Sequence, residues 1–299
     1  MKRILDDILT QCAPVSGLGQ VASYIPELAK ADPNQLGICI VQTDGSVHAS
    51  GHWQTVFTMQ SVIKPVILLA ALMDSGEDAV RQMVGMEATG KPFDAFNYSD
   101  QALSASHINP MINTGAIALC TLIAGRTYED KFARLLELTR TLAGNDTMQV
   151  QETVFRSEKA TGSKNRALAY LLKAYGMVTD PAEDMLECYF KACSIGANCQ
   201  DLARIAKELA CREHSLLKPE HARYVNATLM TCGMYDGSGE FALNVGIPAK
   251  SGVGGGIMGV VPGRMGIGVY SPALDKKGNS VAGIRVMELL SRELKLSIF

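Results

Sequence analysis

No basic excess exists in this 299-residue chain: 28 Lys+Arg stand against 30 Asp+Glu, a formal net charge of −2. Without that excess there is nothing to neutralise a polyphosphate, which argues against a nucleic-acid partner. Long apolar runs are also missing. The longest, Val66-Ile67-Leu68-Leu69-Ala70-Ala71-Leu72-Met73, falls well short of the ~20 residues a membrane span requires and reads as a buried helix. At the N-terminus Asp6 and Asp7 interrupt the apolar stretch, so the uninterrupted segment of roughly 7–15 residues of a secretory signal is not expected.

Metal and redox spacings are absent too. None of the eight cysteines (12, 39, 120, 188, 193, 199, 211 and 232) forms a C-x-x-C pair. Cys39 and Cys120 sit inside apolar segments, as thiols acting as small hydrophobes do. A reducing, cytoplasmic setting is expected. His48, His52, His107, His214 and His221 form no H-E-x-x-H pattern, and G-x-S-x-G does not occur, so neither a metal site nor a hydrolase elbow is indicated. No cofactor is expected. No repeat and no low-complexity tract is present. The 47% apolar content is that of a folded globular protein.

The patterning predicts strands at both ends and helices between. A polar helix opens the chain, followed by an amphipathic helix over Gln20–Ala31 on the spacing of Val21, Tyr24, Ile25 and Leu28. Leu36–Val41 and Val47–His52 flank the turn Thr43-Asp44-Gly45-Ser46 as a hairpin. Helices are predicted over 61–74, 111–125, 128–143, 164–176, 182–195, 200–212 and 218–231, with Thr89-Gly90-Lys91-Pro92 and Ala143-Gly144-Asn145-Asp146 as connections. Strands return at Gly246–Lys250, Gly256–Val261 and Met265–Tyr270, and a helix from about 280 to 296 follows the turn Asp275–Asn279. The economical architecture is one sheet-containing α/β lobe from residues 1–60 and 232–299, with an all-helical lobe, 61–231, inserted. The site would lie in the cleft between them.

The strongest chemical signal is Gln60-Ser61-Val62-Ile63-Lys64-Pro65. Ser61 and Lys64, three apart at a helix start, project from one face, and Pro65 is tolerated in a first turn. A serine hydroxyl needs a base to become a nucleophile. A lysine one turn on can serve if burial or a neighbouring cation lowers its pKa from ~10.4 toward about 7–8. Alone, S-x-x-K also describes a solvated first turn. Here it abuts the long apolar run, and a second element, Lys250-Ser251-Gly252, follows a strand-like segment far along the chain. Penicillin-binding enzymes and β-lactamases pair these two elements across a cleft. The glycine-rich Gly254-Gly255-Gly256-Ile257-Met258-Gly259 fits G-x-G-x-x-G but is followed by strand character, so close backbone approach explains it better than a dinucleotide.

Further blocks narrow the resemblance: Ser23-Tyr24-Ile25-Pro26-Glu27-Leu28-Ala29, Asn109-Pro110-Met111-Ile112-Asn113-Thr114-Gly115, Phe155-Arg156-Ser157-Glu158, Asn165-Arg166, Tyr189-Phe190, Cys232-Gly233-Met234-Tyr235-Asp236, Lys250-Ser251-Gly252-Val253 and Ser271–Gly283. In this order they resemble the serine-dependent glutaminases. The resemblance implies an α/β (α+β) β-lactamase-like fold, with an antiparallel sheet flanked by helices. It implies hydrolysis of the L-glutamine side-chain amide to glutamate and ammonia through a seryl γ-glutamyl ester. Ser61 would be the nucleophile, Lys64 the base and Tyr235 a proton relay. The backbone N–H groups of Ser61 and Val253 would hold the oxyanion.

Substrate contacts would come from Tyr24, Asn113, Glu158, Asn165, Tyr189, Tyr235 and the Val253 backbone. Glu158 suits the substrate ammonium, and asparagine and tyrosine donors suit its carboxylate. A homodimer or homotetramer is implied, without membrane or nucleic acid. Thr114 and Gly254 depart slightly from the family pattern. The regulatory additions of animal relatives are not expected. Two other readings share the motifs: a penicillin-recognising acylase or β-lactamase, and a glutamine-sensing module without turnover.

Overall fold

In the computed structural model, residues 1–90, 104–211 and 216–299 are described; Lys91, Pro92, Arg212 and His214 lie outside them. In chain order the elements are α1 (Lys2–Cys12), β1 (Gln20–Val21), β2 (Gly37–Gln42), β3 (Val47–Gly51), β4 (Phe57–Thr58), α2 (Lys64–Met83), α3 (Asn113–Leu119), α4 (Tyr128–Ala143), α5 (Glu152–Thr161), α6 (Ser163–Ala174) and α7 (Ala182–Cys193). Then come β5 (Gly196–Ala197), α8 (Cys199–Ala210), α9 (Pro219–Cys232), α10 (Ser238–Asn244), β6 (Ala249–Ser251), β7 (Gly256–Val261), β8 (Met265–Tyr270), β9 (Ala273–Leu274) and α11 (Val281–Leu294).

Five strands form one antiparallel sheet in the order β3-β2-β8-β7-β6. The N-terminal hairpin and the C-terminal strands therefore build it together, as the patterning predicts. Period-two alternation splits its side chains between two cores. Ile38, Ile40, Ile257, Ile267 and Val269 join Leu5 and Ile8 of α1 and Val286 and Leu290 of α11. Cys39, Val41, Met258, Val260 and Tyr270 join the larger core of the helices α2 to α9. Each such aliphatic side chain removed from water contributes about 1.5–3 kcal/mol. On this second face α8 lies directly on the sheet: a Cβ at Gly268 would meet Cys199 O at 2.0 Å, and one at Gly266 would meet Ala203 O at 2.0 Å. Only glycine permits that approach.

Several boundaries differ from expectation. Gln20–Ala31 is not a helix. Gln20–Val21 is the strand β1, paired with β9, and only Leu28–Lys30 makes a helical turn, of 3-10 type. Pro26, in the middle of the segment, lacks the N–H a helix needs. The helix predicted from Ser61 begins with a 3-10 turn, Gln60–Ile63, and becomes α-helical only at Lys64. It runs on to Met83 with a break at Gly76, whose φ is 85°. The strand predicted at Gly246–Lys250 is confined to Ala249–Ser251, after Pro248. Gly256–Val261 is a strand, so the glycine-rich segment lacks the helix a dinucleotide site requires. The predicted helix over 111–125 shortens to Asn113–Leu119 and a 3-10 turn. Helices α5 and α10 were not predicted.

Candidate active site

A pocket of about 380 Å³ opens between the helices and the Tyr24 loop. Six predicted site residues line it: Tyr24, Ser61, Asn113, Glu158, Asn165 and Tyr189. Each arrives from a different element for a local reason. Ser61 sits in the 3-10 turn ahead of α2, and Asn113 is the first residue of α3. Glu158 lies on α5 and Asn165 in the first turn of α6. The intervening Gly162 is pressed against Phe190, whose ring would be 2.5 Å from an added Cβ; that tight turn brings the two helices onto one pocket wall. Tyr189 and Cys193, four apart on α7, face the pocket together. Tyr24 is exposed at the mouth, while its neighbour Ile25 is buried with Ala22, Leu28, Val253 and Leu274. Glu27 N donates to Ser157 Oγ at 3.4 Å, tying this loop to α5.

Lys64 is fully buried. Its Nζ donates to Asn113 Oδ1 at 2.7 Å and to Met111 O at 3.2 Å, both neutral acceptors. Tyr189 OH donates to the same Asn113 oxygen at 3.2 Å, and Asn113 Nδ2 donates to Asn165 Oδ1 at 2.8 Å. Asn113, predicted as a substrate contact, thus spends much of its hydrogen-bonding capacity in orienting the lysine. Burial pushes the Tyr189 phenol well above its ordinary value, with the nearby Cys193 and Glu158 adding to the effect.

Glu158 is buried, and burial raises its carboxyl from 4.5 to about 8. Hydrogen bonding from Gln60, the charge of Lys64 and the Ser194 hydroxyl oppose that rise. A buried carboxyl poised in this way would gain strongly from an arriving cation.

Tyr235 and Val253 do not line the pocket. Tyr235 faces a second, smaller cleft of about 130 Å³ with Met111, Ile112 and Asp236. Its hydroxyl turns inward. Burial drives that phenol far up, while the nearby Ser61 side chain and Val253 backbone N–H pull it down. Ser61, the phenol and one predicted oxyanion donor are therefore neighbours. The Val253 segment comes this close because it is flanked by glycines. A Cβ at Gly252 would lie 2.8 Å from Met59 O, and one at Gly254 2.6 Å from Thr58 O.

Behind Tyr235 stands Lys250, fully buried. Its ammonium donates to Ser251 O at 2.6 Å and Gly233 O at 3.0 Å and lies 4.3 Å from the Tyr235 ring centroid. Burial, and then the charge of Lys64, hold it well below the usual lysine range.

Sequence reasoning missed two features. Gln60 lines the pocket, and both Gln60 (φ 48°) and Tyr235 (φ 54°) adopt left-handed backbone. Among the described residues only three non-glycine positions do so, and two of them adjoin Ser61. Such strain costs about 1–3 kcal/mol each and concentrates at functional sites. No local pattern announces it. Among the described residues no group of three or more His, Cys, Asp or Glu could hold a metal ion, and no helix is long and apolar enough to cross a membrane.

Comparison with known proteins bears directly on this arrangement. The sequence model of the family described as Glutaminase matches residues 19–299. The chain belongs to the glutaminase family. A glutaminase of Clostridioides difficile (strain 630) is 50% identical over 302 residues, covering 99% of this chain and 98% of that protein. A glutaminase of Clostridium tetani is 46% identical over the full length of both. Among solved structures, the probable glutaminase ybaS superposes with a TM-score of 0.94 at 34% identity, covering 100% of this chain and 97% of that one. A probable glutaminase from Bacillus subtilis complexed with 6-diazo-5-oxo-L-norleucine gives 0.89 at 38% identity, covering 98% and 94%. The expected β-lactamase-like α/β fold of this family is thereby established.

Proposed function

We propose that this glutaminase-family protein hydrolyses the side-chain amide of L-glutamine to L-glutamate and ammonia through a Ser61 acyl-enzyme. The observation that carries the reading is that Ser61 and the buried Glu158 line one pocket, with the fully buried Lys64 hydrogen-bonded to Asn113 of the same pocket wall. Lys64 is the base: held by Met111 O and Asn113 Oδ1, its neutral amine takes the Ser61 proton. Ser61 Oγ attacks the amide carbon, and the Ser61 and Val253 N–H groups take up the negative charge on oxygen. Collapse expels ammonia, protonated through Tyr235, whose phenol adjoins Ser61. Water then attacks the ester and regenerates the serine.

Glu158 receives the substrate ammonium. Tyr24, Asn165 and Tyr189 bound the rest of the pocket, and the Tyr24 hydroxyl and Asn165 amide supply donors to the carboxylate. A relative's complex with 6-diazo-5-oxo-L-norleucine supports a glutamine-like substrate, because that molecule keeps the amino-acid head and replaces the carboxamide with a diazoketone. The reaction uses no cofactor. The division into a sheet lobe (1–60, 232–299) and a helical lobe (61–231), a homodimeric or homotetrameric state and a cytoplasmic location complete the proposal. The last rests on eight free cysteines.

A coupled ammonia assay on purified protein with L-glutamine, L-asparagine and D-glutamine tests it. Release from L-glutamine, lost in Ser61→Ala, is expected. Binding of L-glutamine without ammonia release would overturn the hydrolase in favour of a sensing module.

A further inference from the structure

Gln60 joins two parts of the site in one residue. Its backbone, at φ 48°, sets the direction in which the next residue, Ser61, presents its N–H and hydroxyl. Its side chain is buried and reaches the other end of the pocket. Nε2 lies 3.3 Å from Glu158 Oε2, 3.3 Å from Thr58 Oγ1 and 3.5 Å from Cys193 O. Two amide hydrogens face three acceptors, so the arrangement depends on which acceptor is strongest. An ionised carboxylate outcompetes a hydroxyl or a carbonyl; a protonated one does not. The side chain also has little freedom to wander. A Cβ at Gly254 would already stand 3.4 Å from Gln60 Cγ, and β5, which follows α7, is paired with β4 immediately upstream.

We infer that Gln60 is a positioning residue that couples recognition of the substrate's α-ammonium at Glu158 to alignment of Ser61, so that the ammonium raises the rate of turnover and not only the affinity. This rests on the reading of Glu158 given above. A bound ammonium fixes Glu158 as the carboxylate. The carboxylate draws the Gln60 amide to one acceptor, and the single side-chain placement holds the left-handed backbone that aims Ser61. Binding energy from a remote group is thereby used for orientation at the reacting atom. Without the ammonium, the Gln60 amide is shared among its acceptors and the turn before Ser61 has more than one arrangement.

The test uses L-glutamine and its des-amino counterpart, 4-carbamoylbutanoate, as substrates for the whole protein and for Gln60→Met, which keeps length but removes the donor. For the wild type, kcat on the des-amino amide should be lower by at least about 100-fold, with a raised KM. In Gln60→Met the ratio of the two kcat values should shrink by at least about tenfold, chiefly through slower glutamine turnover. An unchanged ratio, even with both rates reduced, overturns the inference, because general damage to the site lowers both substrates together.

The two readings fail differently. Equal kcat and KM for the two amides in the wild type would remove Glu158 as the ammonium site. A wild-type difference confined to KM would leave Glu158 in place and sink the coupling. Should Gln60→Met not fold, Gln60→Asn answers the same question, since asparagine tolerates left-handed backbone and is one methylene too short for Glu158.

Discussion

Lys64 and Asn113, each the first residue of its α-helix, are joined by a 2.7 Å hydrogen bond between positions 49 residues apart. Lys64, the proposed base, is thus held by a neutral amide. Neutrality matters for a base, because a carboxylate in the same place would favour the ammonium form. Asn113→Asp should therefore move the acid limb of the kcat/KM pH profile upward by about one unit or more. Asn113→Leu should lower kcat by about 100-fold with the profile in place. A profile unmoved in Asn113→Asp would show that Lys64 is not the titrating base.

Ser61→Ala and Lys64→Ala should each reduce kcat by at least about 1,000-fold. Their far-ultraviolet circular dichroism should match the wild type. For Ser61→Ala, incubation with 6-diazo-5-oxo-L-norleucine should leave the protein mass unchanged, whereas the wild type gains a covalent adduct. Near-normal turnover in Lys64→Ala would transfer the base role to another group.

Glu158 links substrate affinity to pH. Burial pushes its carboxyl from the ordinary 4.5 up to about 8, and only the ionised form attracts an ammonium. The KM for glutamine should fall as pH rises toward 8. Stability should move the other way. Between pH 4.5 and 8 the folded state carries the extra proton, so raising the pH through that window removes stability, by up to roughly 1.4 kcal/mol per pH unit. Glu158→Gln should lose most glutamine turnover yet have a Tm at pH 8.5 at or above that of the wild type. A Tm several degrees lower would contradict the burial argument.

Selectivity for chain length follows from anchoring at Glu158. Asparagine, bound by the same head groups, presents its amide about one methylene short of Ser61, and kcat/KM should be at least about 100-fold lower than for glutamine. Comparable values would refute the anchoring.

Gly268 lets α8 lie directly on the sheet. A methyl group there would collide with Cys199 O at 2.0 Å, a backbone atom that cannot turn aside. Gly268→Ala should destabilise the fold by about 3 kcal/mol or more, seen as a drop in the denaturation midpoint or as insoluble protein.

Much of this site is legible in the sequence because its chemistry is local. Ser61-x-x-Lys64 and Lys250-Ser251-Gly252 carry their meaning in spacing, and the β-branched runs of β2, β7 and β8 announce themselves. Legibility fails where tertiary contacts decide. Val21, Tyr24, Ile25 and Leu28 have helical spacing, yet Ile25 and Leu28 are buried against Val253 and Leu274, partners brought by the far end of the chain. Helix α5 escapes notice because only Phe155 and Glu158 are buried along it, too few for a periodic signal. That Asn113 also holds Lys64 and Asn165 has no mark in the sequence, because these partners are distant along the chain. The left-handed backbone of Gln60 leaves no mark on composition or period.

The strand order has a consequence for how the protein comes into being. β8 and β7 lie in the middle of the sheet, between the early strand β2 and the late strand β6, and Gly37 pairs with Tyr270. A nascent chain emerging from the ribosome has Ser61 and Lys64 long before it has the strands that complete the sheet or the Val253 segment. The hairpin β2-β3 must wait with one edge unpaired, exposed to aggregation, and its closure is slow because the contacts are so distant in sequence. The Val253 segment can therefore reach Ser61 only after most of the chain has been made.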